Sequence, residues 1–306
     1  MQTGVVILNW NAAKETIICI ESIKAWSSTS PNIYVVDNNS SKDDQDILIA
    51  HRHKFNLIKN TVNKGFSGGN NIGIKAALAD NNAAILLLNN DARMAEKDLY
   101  LLLNTLTSSR EIGVIGPVLY DYYTNELQNA GGKDIGWNYI SHLTSLPEKE
   151  KVYDVDYVSG TAMLVRSEVF KTIGLFDERY FFSGEVADFC QRVYRYKGPD
   201  GFRFKVTIHP GARATHNLKT SSYNREKLYT YYTVRNRYLY IRKFLKIYLP
   251  VLYVFWIYKH LKHAFASYRI GKHDVMKVIM RGLVHGLVGR VGPINGTNTF
   301  ISLEKK

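Results

Sequence analysis

Residues 83–93 have the sequence Ala83-Ala-Ile-Leu-Leu-Leu-Asn-Asn-Asp91-Ala-Arg93, and this stretch decides the fold. Its apolar run has the length and the Ile/Leu content of a strand that is buried on both faces of a sheet. The run ends abruptly in Asn89, Asn90 and Asp91. Because ligands of open α/β sheets bind beyond the carboxyl ends of the strands, this end is a candidate site for a divalent cation and a diphosphate. The alternative is an Asn/Asp turn that only closes the strand.

Shorter apolar runs before and after this strand alternate with segments of helical periodicity. Such alternation predicts an α/β fold in which a mostly parallel sheet is covered by helices on both faces. Residues 120–154 lack regular patterning and are predicted to form a long excursion over the active face. Strands are predicted at residues 5–8, 33–36, 55–58, 112–119 and 202–208, and regular structure resumes at 155–165. Helices are predicted at 16–26, 71–78, 97–106 and 167–173. The last of these is predicted to have Ser167 as its N-cap.

Two further polar segments follow strands of the predicted sheet. Asp37 ends the second strand, where an acid can accept a hydrogen bond from a nucleotide base or ribose, although a helix N-cap explains the same residue. Residues 63–73 have the sequence Asn63-Lys-Gly-Phe-Ser-Gly-Gly-Asn-Asn-Ile-Gly73. This segment matches neither a Walker A loop nor the G-x-G-x-x-G fingerprint of dinucleotide-binding proteins. It is predicted to be a glycine-rich turn that opens the helix at 71–78, and such helix N-termini attract phosphate.

A helix that starts near Gly184 would carry Glu185, Asp188 and Arg192 on one face, because they recur at i, i+3 and i+7. Two carboxylates at a helix start are well placed to act as a base or as ligands. The alternative is a pair of ordinary helix-start acids with an arginine partner. After the strand at 202–208, residues 209–217 are predicted to lead away from the sheet. A lone histidine is more typical of a structural role, so His216 gains interest only in combination with other residues.

The chain of 306 residues is long enough for one or two domains and has a formal net charge of +13. Fifteen Lys/Arg residues and two acidic residues lie between Lys219 and Arg290, so this segment carries the basic character and predicts an anionic partner. Cys19 and Cys190 lie in apolar periodic segments and are expected to be buried and reduced, as in cytosolic proteins. Because the sequence shows neither a signal-peptide pattern nor an apolar run of about 18 residues, we expect a cytoplasmic protein.

The basic segment combines helical periodicity with aromatic residues. Residues 228–244 are predicted to form a helix rich in Tyr and Arg, 247–258 form an apolar aromatic run too short to span a bilayer, and 275–288 alternate basic with apolar residues. Basic helices edged by Tyr and Trp are typical of the interface of an anionic membrane. Helices that pack on the rest of the chain, or a dimer surface, are the alternative. RNA binding is disfavoured because we find no RNA-recognition motif.

Seven sequence blocks follow one another in the chain: Val6-Ile-Leu-Asn-Trp-Asn11, Val35-Val-Asp-Asn-Asn-Ser40, residues 63–73 as quoted above, Leu86-Leu-Leu-Asn-Asn-Asp91, Val158-Ser-Gly-Thr-Ala-Met-Leu-Val165, Gly174-Leu-Phe-Asp-Glu-Arg-Tyr-Phe-Phe182 and Ala214-Thr-His216. Over residues 5–217 this series resembles the family 2 glycosyltransferases of GT-A fold, and especially their rhamnosyltransferase-like group. Seven blocks in the right order are far more specific than any one of them.

The resemblance implies a catalytic domain over residues 1–220, with a donor half at 1–119 and an acceptor half at 120–220. Beyond it, the basic and aromatic composition described above predicts a C-terminal helical extension over 221–306 that associates with an anionic membrane surface through residues 221–290. The resemblance also implies that Asp91, at the position of the family's D-x-D-like motif, ligates Mg²⁺ or Mn²⁺ together with His216. The donor would be a nucleoside-diphosphate sugar, with dTDP or UDP as the nucleotide. Its implied binding residues are Asn9, Asn11, Asp37, Asn39, Lys64, Gly65, Gly69, Asn70, Asn89 and Asn90.

The implied reaction moves rhamnose or a related hexose to a glycan acceptor with inversion at the anomeric carbon. The acceptor would be lipid-linked, in bacterial-type surface polysaccharide assembly, and the enzyme would be peripheral at the inner face of the plasma membrane. The family usually shows Glu-Asp-x-Asp with the base at the second acid, whereas this chain has Glu185-Val-Ala-Asp188, so Val186 stands at the base position. Glu185 is the expected base and Asp188 the fallback.

Two other classes of function remain as alternatives. A catalytically impaired GT-A module that binds a sugar nucleotide or a partner protein is suggested by Val186. An NAD-dependent oxidoreductase is a further class, but the absence of G-x-G-x-x-G argues against it. Donor-dependent sugar transfer, donor hydrolysis and NAD binding distinguish the three.

Overall fold

The computed structural model of the protein describes residues 1–138, 141–217 and 223–294, except for the side chains of residues 223–225. Within these residues the chain forms two compact units. Unit 1 comprises residues 1–134, 140–177 and 186–218, and unit 2 comprises residues 135–139, 178–185 and 219–306, in each case as far as the structure describes them. The predicted domain boundary at residues 220 and 221 lies outside the described residues, so it stays a prediction.

The N-terminal half of unit 1 is a parallel sheet built from strand–helix units. Strands β1 (Thr3–Asn9), β2 (Asn32–Asp37), β3 (Asn56–Lys59) and β4 (Ala84–Leu88) lie in the order β3-β2-β1-β4 and all run in one direction. The helices between them are α1 (Ala13–Lys24), α2 (Lys42–Ala50) and α3 (Gly65–Ala79). No residue of β4 is more than 2% exposed, which confirms the prediction of a strand buried on both faces.

The following segments extend this sheet with strands of both directions. They are β5 (Ala92–Met94), α4 (Glu96–Ser108), β6 (Ile112–Asp121), β7 (Leu127–Asn129), β8 (Tyr153–Asp154), β9 (Ala162–Arg166), α5 (Ser167–Ile173), α6 (Glu185–Arg195) and β10 (Lys205–His216). The strand order continues as β4-β9-β6-β10-β5, with β9 antiparallel to both neighbours and β6 parallel to β10. Apart from β9 and β5, the strands of this path therefore run in one direction, which confirms the predicted α/β fold with a mostly parallel sheet.

Residues 209–217 were predicted to leave the sheet, and this is wrong for most of them, because β10 continues to His216. The pairing of β10 with β6 shifts register just before Arg213, where Pro210 has no N–H to give to the ladder. β10 then resumes its pairing with β6 and gains β5 as a second neighbour. The backbone N–H of Arg213 donates to Oδ1 of Asp98 at 3.0 Å, which fastens the end of this bulge to α4.

Helix α3 begins at Gly65, six residues earlier than predicted. The glycines that suggested a turn belong to this helix. Because they have no side chain, they let α3 lie close to β1. A Cβ atom on Gly69 would lie 2.4 Å from Cδ1 of Leu8, and one on Gly73 would lie 2.4 Å from Cγ1 of Val6. Gly65 itself has φ +70°, which glycine adopts without steric cost. The glycine-rich segment therefore serves helix–sheet packing.

The predicted N-cap at Ser167 is wrong by one residue. Arg166 occupies the N-cap position of α5, and Ser167 is the first helical residue. The Ser167 hydroxyl donates to the backbone carbonyl of Asn82 at 2.6 Å. Its hydrogen bond thus fastens α5 to the turn before β4 instead of capping the helix.

Unit 2 is helical, as predicted for the C-terminal region. It contains α7 (Tyr223–Phe244), α8 (Leu249–Arg269) and α9 (His273–Leu287). The apolar aromatic run predicted at 247–258 leads into α8 and forms its first part. No helix in the described part of the chain is long and apolar enough to cross a membrane. Aromatic side chains fill the interior of unit 2 together with Arg235, Asn236 and His260, none of them more than 4% exposed.

Both cysteines are buried free thiols, as predicted. Burial raises the pKa of Cys19 and of Cys190 to about 12, so neither thiol is ionised at neutral pH and neither is suited to nucleophilic chemistry. The cytosolic location inferred from their number and setting stays a prediction.

Candidate functional site

Polar side chains collect at the carboxyl ends of β1 and β2, which are in register at Asn9 and Asp37. Asn9 is fully buried, and its Nδ2 lies within hydrogen-bond distance of Asp37 Oδ1 (3.2 Å), Ser40 Oγ (3.1 Å) and Asp44 Oδ2 (2.8 Å). The hydroxyl of Thr16 donates to Asn9 Oδ1 at 2.7 Å. Both N–H donors of this amide are thus committed to protein acceptors. Asn9 therefore braces Asp37 and the turn after β2, and its contact with the donor stays a prediction.

The predicted donor-binding residues Asn11 and Asn39 lie in exposed turns at the same edge. Both have left-handed backbone, with φ +51° and +64°, which asparagine tolerates better than most residues. Ser40 links the two turns, because the backbone N–H of Asn11 donates to its hydroxyl at 2.9 Å. In the other direction, the backbone N–H of Ser41 donates to Asn11 Oδ1 at 2.7 Å. These two residues are therefore accessible and held next to each other.

Asn38, which the sequence did not single out, shapes the segment before α3. Its Oδ1 accepts from Lys64 N and from Asn60 Nδ2, each at 3.0 Å, and its Nδ2 donates to Asn63 Oδ1 (2.9 Å) and Gly65 O (3.0 Å). The side chain is 2% exposed. Asn38 thus fixes Lys64 and Gly65, both predicted to bind the donor, at the N-terminus of α3. The available signal was its place in the middle of the Asp-Asn-Asn block.

Gly69 and Asn70, also predicted to bind the donor, are buried within α3. The side chain of Asn70 donates to the carbonyl of Phe66 one turn earlier, at 2.9 Å. The neighbouring Asn71 pairs with the backbone of Phe176 in both directions, at 3.0 Å each. This part of α3 therefore packs against the sheet and is fastened to the backbone of Phe176.

A short turn joins β4 to β5 and contains Asn89, Asn90 and Asp91. Asn89 N donates to the carbonyl of Thr161 at 2.9 Å, and Asn89 O accepts from Ala92 N at 3.0 Å. Asn90, which is half-buried, donates from Nδ2 to the hydroxyl of Thr16 on α1 at 3.0 Å. The two asparagines thus support the turn, and Asp91 contributes its charge.

The end of β10 brings His216 to this turn. The β5–β10 ladder pairs His216 with Ala92, and the backbone N–H of Asn217 donates to Asp91 O at 3.0 Å. Nε2 of His216 lies 3.3 Å from Oδ1 of Asp91, and the two side chains are 15% and 3% exposed. Nε2 of His216 makes no hydrogen bond within the described part of the chain. The structure therefore brings the two predicted metal ligands together.

This pair fits a divalent cation that shares its coordination with a ligand. In octahedral coordination with bonds of about 2.0–2.1 Å, neighbouring ligand atoms lie roughly 3 Å apart, close to the 3.3 Å observed here. Within residues 1–138, 141–217 and 223–294, no group of three or more His, Cys, Asp or Glu side chains is arranged to hold a metal ion. Asp91 and His216 would thus supply two ligand atoms, and diphosphate oxygens and water are suited to the remaining positions of a Mg²⁺ ion.

The predicted helix start is confirmed at Glu185, the first residue of α6, but the two acids of this helix differ. Glu185 is 6% exposed. Asp188 is fully buried and accepts a hydrogen bond from Nε of Arg192 at 2.8 Å. The same guanidinium donates to the carbonyls of Ile173 (2.9 Å) and Leu175 (2.6 Å). Asp188 therefore anchors a structural arginine, as in the alternative interpretation of the sequence.

Val186 stands where the family pattern has its base. It is 7% exposed, and a Cβ atom placed on Gly160 would lie 3.0 Å from its Cγ2. The side chain therefore packs on the backbone of the block at residues 158–165. Its role in this chain is apolar packing.

Comparison with known sequences shows the relatives of this chain. The sequence model of "Glycosyl transferase family 2" matches residues 4–174, which is more than half of the chain. The low-salt glycan biosynthesis hexosyltransferase Agl10 of Haloferax volcanii is 29% identical over 197 residues, covering 63% of this chain and 61% of Agl10. The dTDP-rhamnosyl transferase RfbF of Shigella flexneri is 24% identical over 219 residues, covering 69% of this chain and 71% of RfbF. The match thus spans less than two thirds of the haloarchaeal relative.

Solved structures show the same fold at low identity. GalNAc-T7, solved with UDP, GalNAc and Mn²⁺, gives a TM-score of 0.59 at 17% identity, covering 77% of this chain and 48% of that one. The mannosyltransferase PcManGT of Pyrobaculum calidifontis, solved with GDP-Man and Mn²⁺, gives 0.56 at 12% identity, covering 99% of this chain and 79% of that one. S. aureus TarS with UDP-GlcNAc gives 0.53 at 16%, covering 79% and 66%. Such likeness concerns the fold alone, and it confirms the GT-A fold.

Proposed function

Because this chain belongs to glycosyl transferase family 2, we propose that it is a metal-dependent, inverting glycosyltransferase. The proposed reaction moves rhamnose or a related hexose from a nucleoside-diphosphate sugar to a glycan acceptor. The observation that carries the proposal is the 3.3 Å contact between Asp91 and His216, which joins two distant blocks of the family pattern at the sheet edge where ligands of such folds bind.

We infer that Asp91 and His216 hold Mg²⁺ or Mn²⁺, and that the exposed Asn11 and Asn39 meet the nucleotide at the end of β2, where Asp37 is fully buried. When bound, the metal ion would neutralise charge on the departing nucleoside diphosphate. Two similar structures contain Mn²⁺ together with a nucleotide or a nucleotide sugar, which supports this assignment. We propose dTDP or UDP as the nucleotide, in line with the name of RfbF and with the UDP in GalNAc-T7.

Glu185 is the proposed base. Its carboxylate takes the proton of the acceptor hydroxyl while that oxygen bonds to the anomeric carbon, and the bond from this carbon to the diphosphate oxygen breaks with inversion. Both acids are buried, but the carboxylate of Asp188 is already bound to Arg192, which makes it the less suited of the two. We therefore assign the support of α6 to Asp188 and the chemistry to Glu185 at the helix start.

The second candidate is a catalytically impaired GT-A module that binds a sugar nucleotide or a partner protein. The observation that favours it is Val186, an apolar side chain at the position of the family's base. Both candidates predict donor binding, but only the enzyme hydrolyses or transfers the sugar.

The first experiment measures binding of UDP, dTDP, GDP, CDP and NAD by calorimetry, with and without Mn²⁺. Wild type is compared with Asp91→Ala and with Asp200→Ala, a control that removes an exposed aspartate from a surface turn. We expect one nucleoside diphosphate to bind in a metal-dependent way, to lose that binding in Asp91→Ala and to keep it in Asp200→Ala. Binding that ignores both the metal and Asp91, or binding of NAD alone, would contradict the donor site.

Turnover then separates the two candidates. The bound nucleotide identifies the donor class, and release of that nucleoside diphosphate from the matching sugar nucleotides is followed with wild type and with Glu185→Gln. Hydrolysis or transfer by wild type that falls in Glu185→Gln supports the enzyme. Tight donor binding without any turnover supports the impaired module.

We also propose that unit 2 docks the enzyme on an anionic membrane surface, where a lipid-linked acceptor of surface polysaccharide assembly is available. Along one side of α8 and the turn before it, apolar side chains are strongly exposed, among them Ile247 (85%), Val251 (68%), Val254 (71%), Tyr258 (60%) and Phe265 (62%). Their spacing places them on one helical stripe, opposite the side that packs into unit 2. α8 contains no acidic residue, so its charge complements anionic lipid. A peripheral location at the cytoplasmic face of the plasma membrane is part of this proposal.

Vesicle sedimentation tests this surface. Wild type is compared with Val251→Asp/Val254→Asp, with the single variant Val254→Asp, and with Ile18→Asp, a control for the single variant that places one negative charge on an exposed apolar residue of α1. Removing two interfacial apolar side chains, each worth about 1.5 kcal/mol, should weaken binding to phosphatidylglycerol-containing vesicles roughly a hundredfold. Equal binding of all four proteins, or no preference over phosphatidylcholine, would contradict the proposal. Residues 221 and 222 of the predicted membrane segment lie outside the described residues.

A further inference from the structure

Three of the four residues before Glu185 have a left-handed backbone conformation, which residues with a Cβ atom disfavour. Phe181, Ser183 and Gly184 have φ values of +56°, +65° and +93°, and two of these three residues carry a side chain. L-residues avoid the left-handed region because the Cβ atom approaches the following carbonyl oxygen. Such a segment keeps its shape only where surrounding groups hold it. The position of Glu185 therefore depends on whatever holds these residues.

The side chain of Asn236 on α7 binds the backbone of this segment. Its Nδ2 lies within hydrogen-bond distance of three backbone carbonyls of this segment, those of Tyr180 (2.9 Å), Phe182 (2.9 Å) and Ser183 (2.6 Å). An amide group has two N–H donors, so the three carbonyls converge on one donor group. The residue is 1% exposed, which keeps water from replacing these bonds.

Arg235 sets the orientation of this amide. Its Nε donates to Oδ1 of Asn236 at 2.8 Å, so the oxygen faces the guanidinium and the NH₂ group faces the segment. Nη2 of Arg235 also reaches the carbonyls of Arg179 (3.3 Å) and Tyr180 (3.2 Å). Arg235 is itself 1% exposed and lies over the ring of Tyr232, with its Cζ 4.6 Å from the ring centroid. The two neighbouring side chains thus act as one unit on the backbone before Glu185.

Other side chains on the same side of α7 meet the same segment. Phe181 stacks on Tyr232 with ring centroids 5.4 Å apart, and Phe182 meets Tyr229 edge-on at 6.2 Å. The hydroxyls of Ser183 and Thr233 are 3.0 Å apart. These contacts bind side chains of the segment, whereas Asn236 binds its backbone. The backbone bonds are the ones that can fix φ and ψ.

We propose that Asn236, oriented by Arg235, is a positioning residue for Glu185. It holds the left-handed segment and thereby the start of α6, so that the Glu185 carboxylate is in place to remove the acceptor proton. This proposal rests on the proposed role of Glu185 as the base. It assigns a functional reason to the buried Arg-Asn pair of α7, which the donor site and the metal site do not use.

Asn236→Asp tests the proposal with almost no change of shape. The new carboxylate still offers an oxygen to Arg235 but has no N–H for the three carbonyls. Because a misplacement of about 1 Å at a reacting group costs on the order of a hundredfold in rate, we expect kcat to fall by about that factor. The donor KM and the metal-dependent donor Kd should change less than about twofold, since the donor site is not touched. Thr233→Val is the matched control, because it removes only a side-chain contact to the same segment, and it should keep the wild-type kcat.

The decisive comparison uses a Glu185→Gln background. If Asn236 acts through Glu185, Asn236→Asp lowers kcat in the wild type but has no further effect on the residual rate of Glu185→Gln. An equal loss in both backgrounds, or a parallel change in donor KM and kcat, would overturn the proposal in favour of general destabilisation. Should Asn236→Asp not fold, Arg235→Lys takes its place, because it keeps the charge but loses the Nε–H that orients the amide. The same pattern is then expected with a smaller loss of kcat.

Failure of the proposed function gives a different result. If wild type shows no turnover, or if Glu185→Gln keeps the wild-type rate, then Glu185 is not the base and the positioning proposal is overturned with it. If Glu185→Gln lowers the rate but Asn236→Asp and Arg235→Lys do not, only the positioning proposal is wrong.

Discussion

The turn at Asp91 and the start of α6 each present an acid, but the fold positions them by different means. Asp91 and His216 are placed by backbone pairing, because the β5–β10 ladder and the Asn217–Asp91 hydrogen bond set their distance. Glu185 follows a left-handed segment whose carbonyls are held by side chains of α7. Sheet register survives most side-chain changes nearby, whereas a side-chain network fails when one member changes. We therefore expect the first acid to be robust and the second to depend on distant residues.

The largest expected effect comes from removing each acid in turn. Asp91→Asn and Glu185→Gln should each lower kcat/KM by roughly a thousandfold, or about 4 kcal/mol of transition-state stabilisation. They should differ in donor affinity, because Asp91→Asn weakens metal-dependent binding of the nucleoside diphosphate while Glu185→Gln leaves it unchanged. Calorimetry and steady-state kinetics on both variants measure this difference. If both variants lose donor binding, the two acids do not have separate roles.

A second large effect concerns stability and the other acid of α6. Asp188→Asn removes the fully buried carboxylate of an ion pair in which the Arg192 side chain is 20% exposed. Breaking a fully buried pair costs about 3 kcal/mol or more, and the partial exposure of Arg192 lowers the expected loss to roughly 2 kcal/mol, which urea unfolding monitored by circular dichroism would reveal. Glu185→Gln, at the start of the same helix, is the control and should change the free energy of unfolding by less than about 1 kcal/mol. Unaltered stability in Asp188→Asn would mean that the pair is not structural.

The contrast between backbone pairing and a side-chain network also explains which features could be predicted from the sequence. A local apolar run predicts strand β4, which precedes the turn at Asp91. The family blocks predicted that Asp91 and His216 belong together. The route of β10 to His216 could not be read from residues 209–217, because a bulge at Pro210 interrupts the strand pattern. The hold of Asn236 on the segment before Glu185 joins residues more than 50 positions apart, and no periodicity marks it. The bracing bonds of Asn9 could not be predicted either, since a buried and an exposed asparagine look alike in a sequence.

A medium effect is expected from the buried histidine of unit 2. Burial lowers the pKa of His260 to about 3 in the folded protein, so below pH 6.5 the unfolded chain binds more protons than the folded one. The contribution of neutral His260 to the free energy of unfolding is therefore complete above pH 6.5 and is lost as the pH falls. At pH 5.5 the loss is about 1.4 kcal/mol. In the wild type, Tyr238 OH lies 3.1 Å from the imidazole Nδ1 of His260. His260→Gln removes the titratable group and keeps a polar side chain next to this hydroxyl.

Thermal unfolding at pH 7.5 and pH 5.5 measures this effect. Wild type should lose more stability between the two pH values than His260→Gln does. Desolvation also lowers the pKa values of His142 and His209, so only the difference between the two proteins is attributed to His260. An identical pH dependence would show that His260 does not stay neutral in the folded state.

The smallest effect is expected at Asp98, which supports the backbone route to His216. Burial raises the pKa of its carboxyl, so the folded state binds more protons and stability falls as the pH rises through that pKa. Asp98→Asn keeps an oxygen for the Arg213 N–H and removes this penalty, but it buries a new NH₂ group. The two terms offset each other, and we expect a change of less than about 1 kcal/mol at pH 7. Unchanged metal-dependent donor affinity in this variant would show that backbone pairing, rather than the Asp98 charge, sets the distance between His216 and Asp91. A large loss of affinity would instead make that distance depend on a single side chain, as at α6.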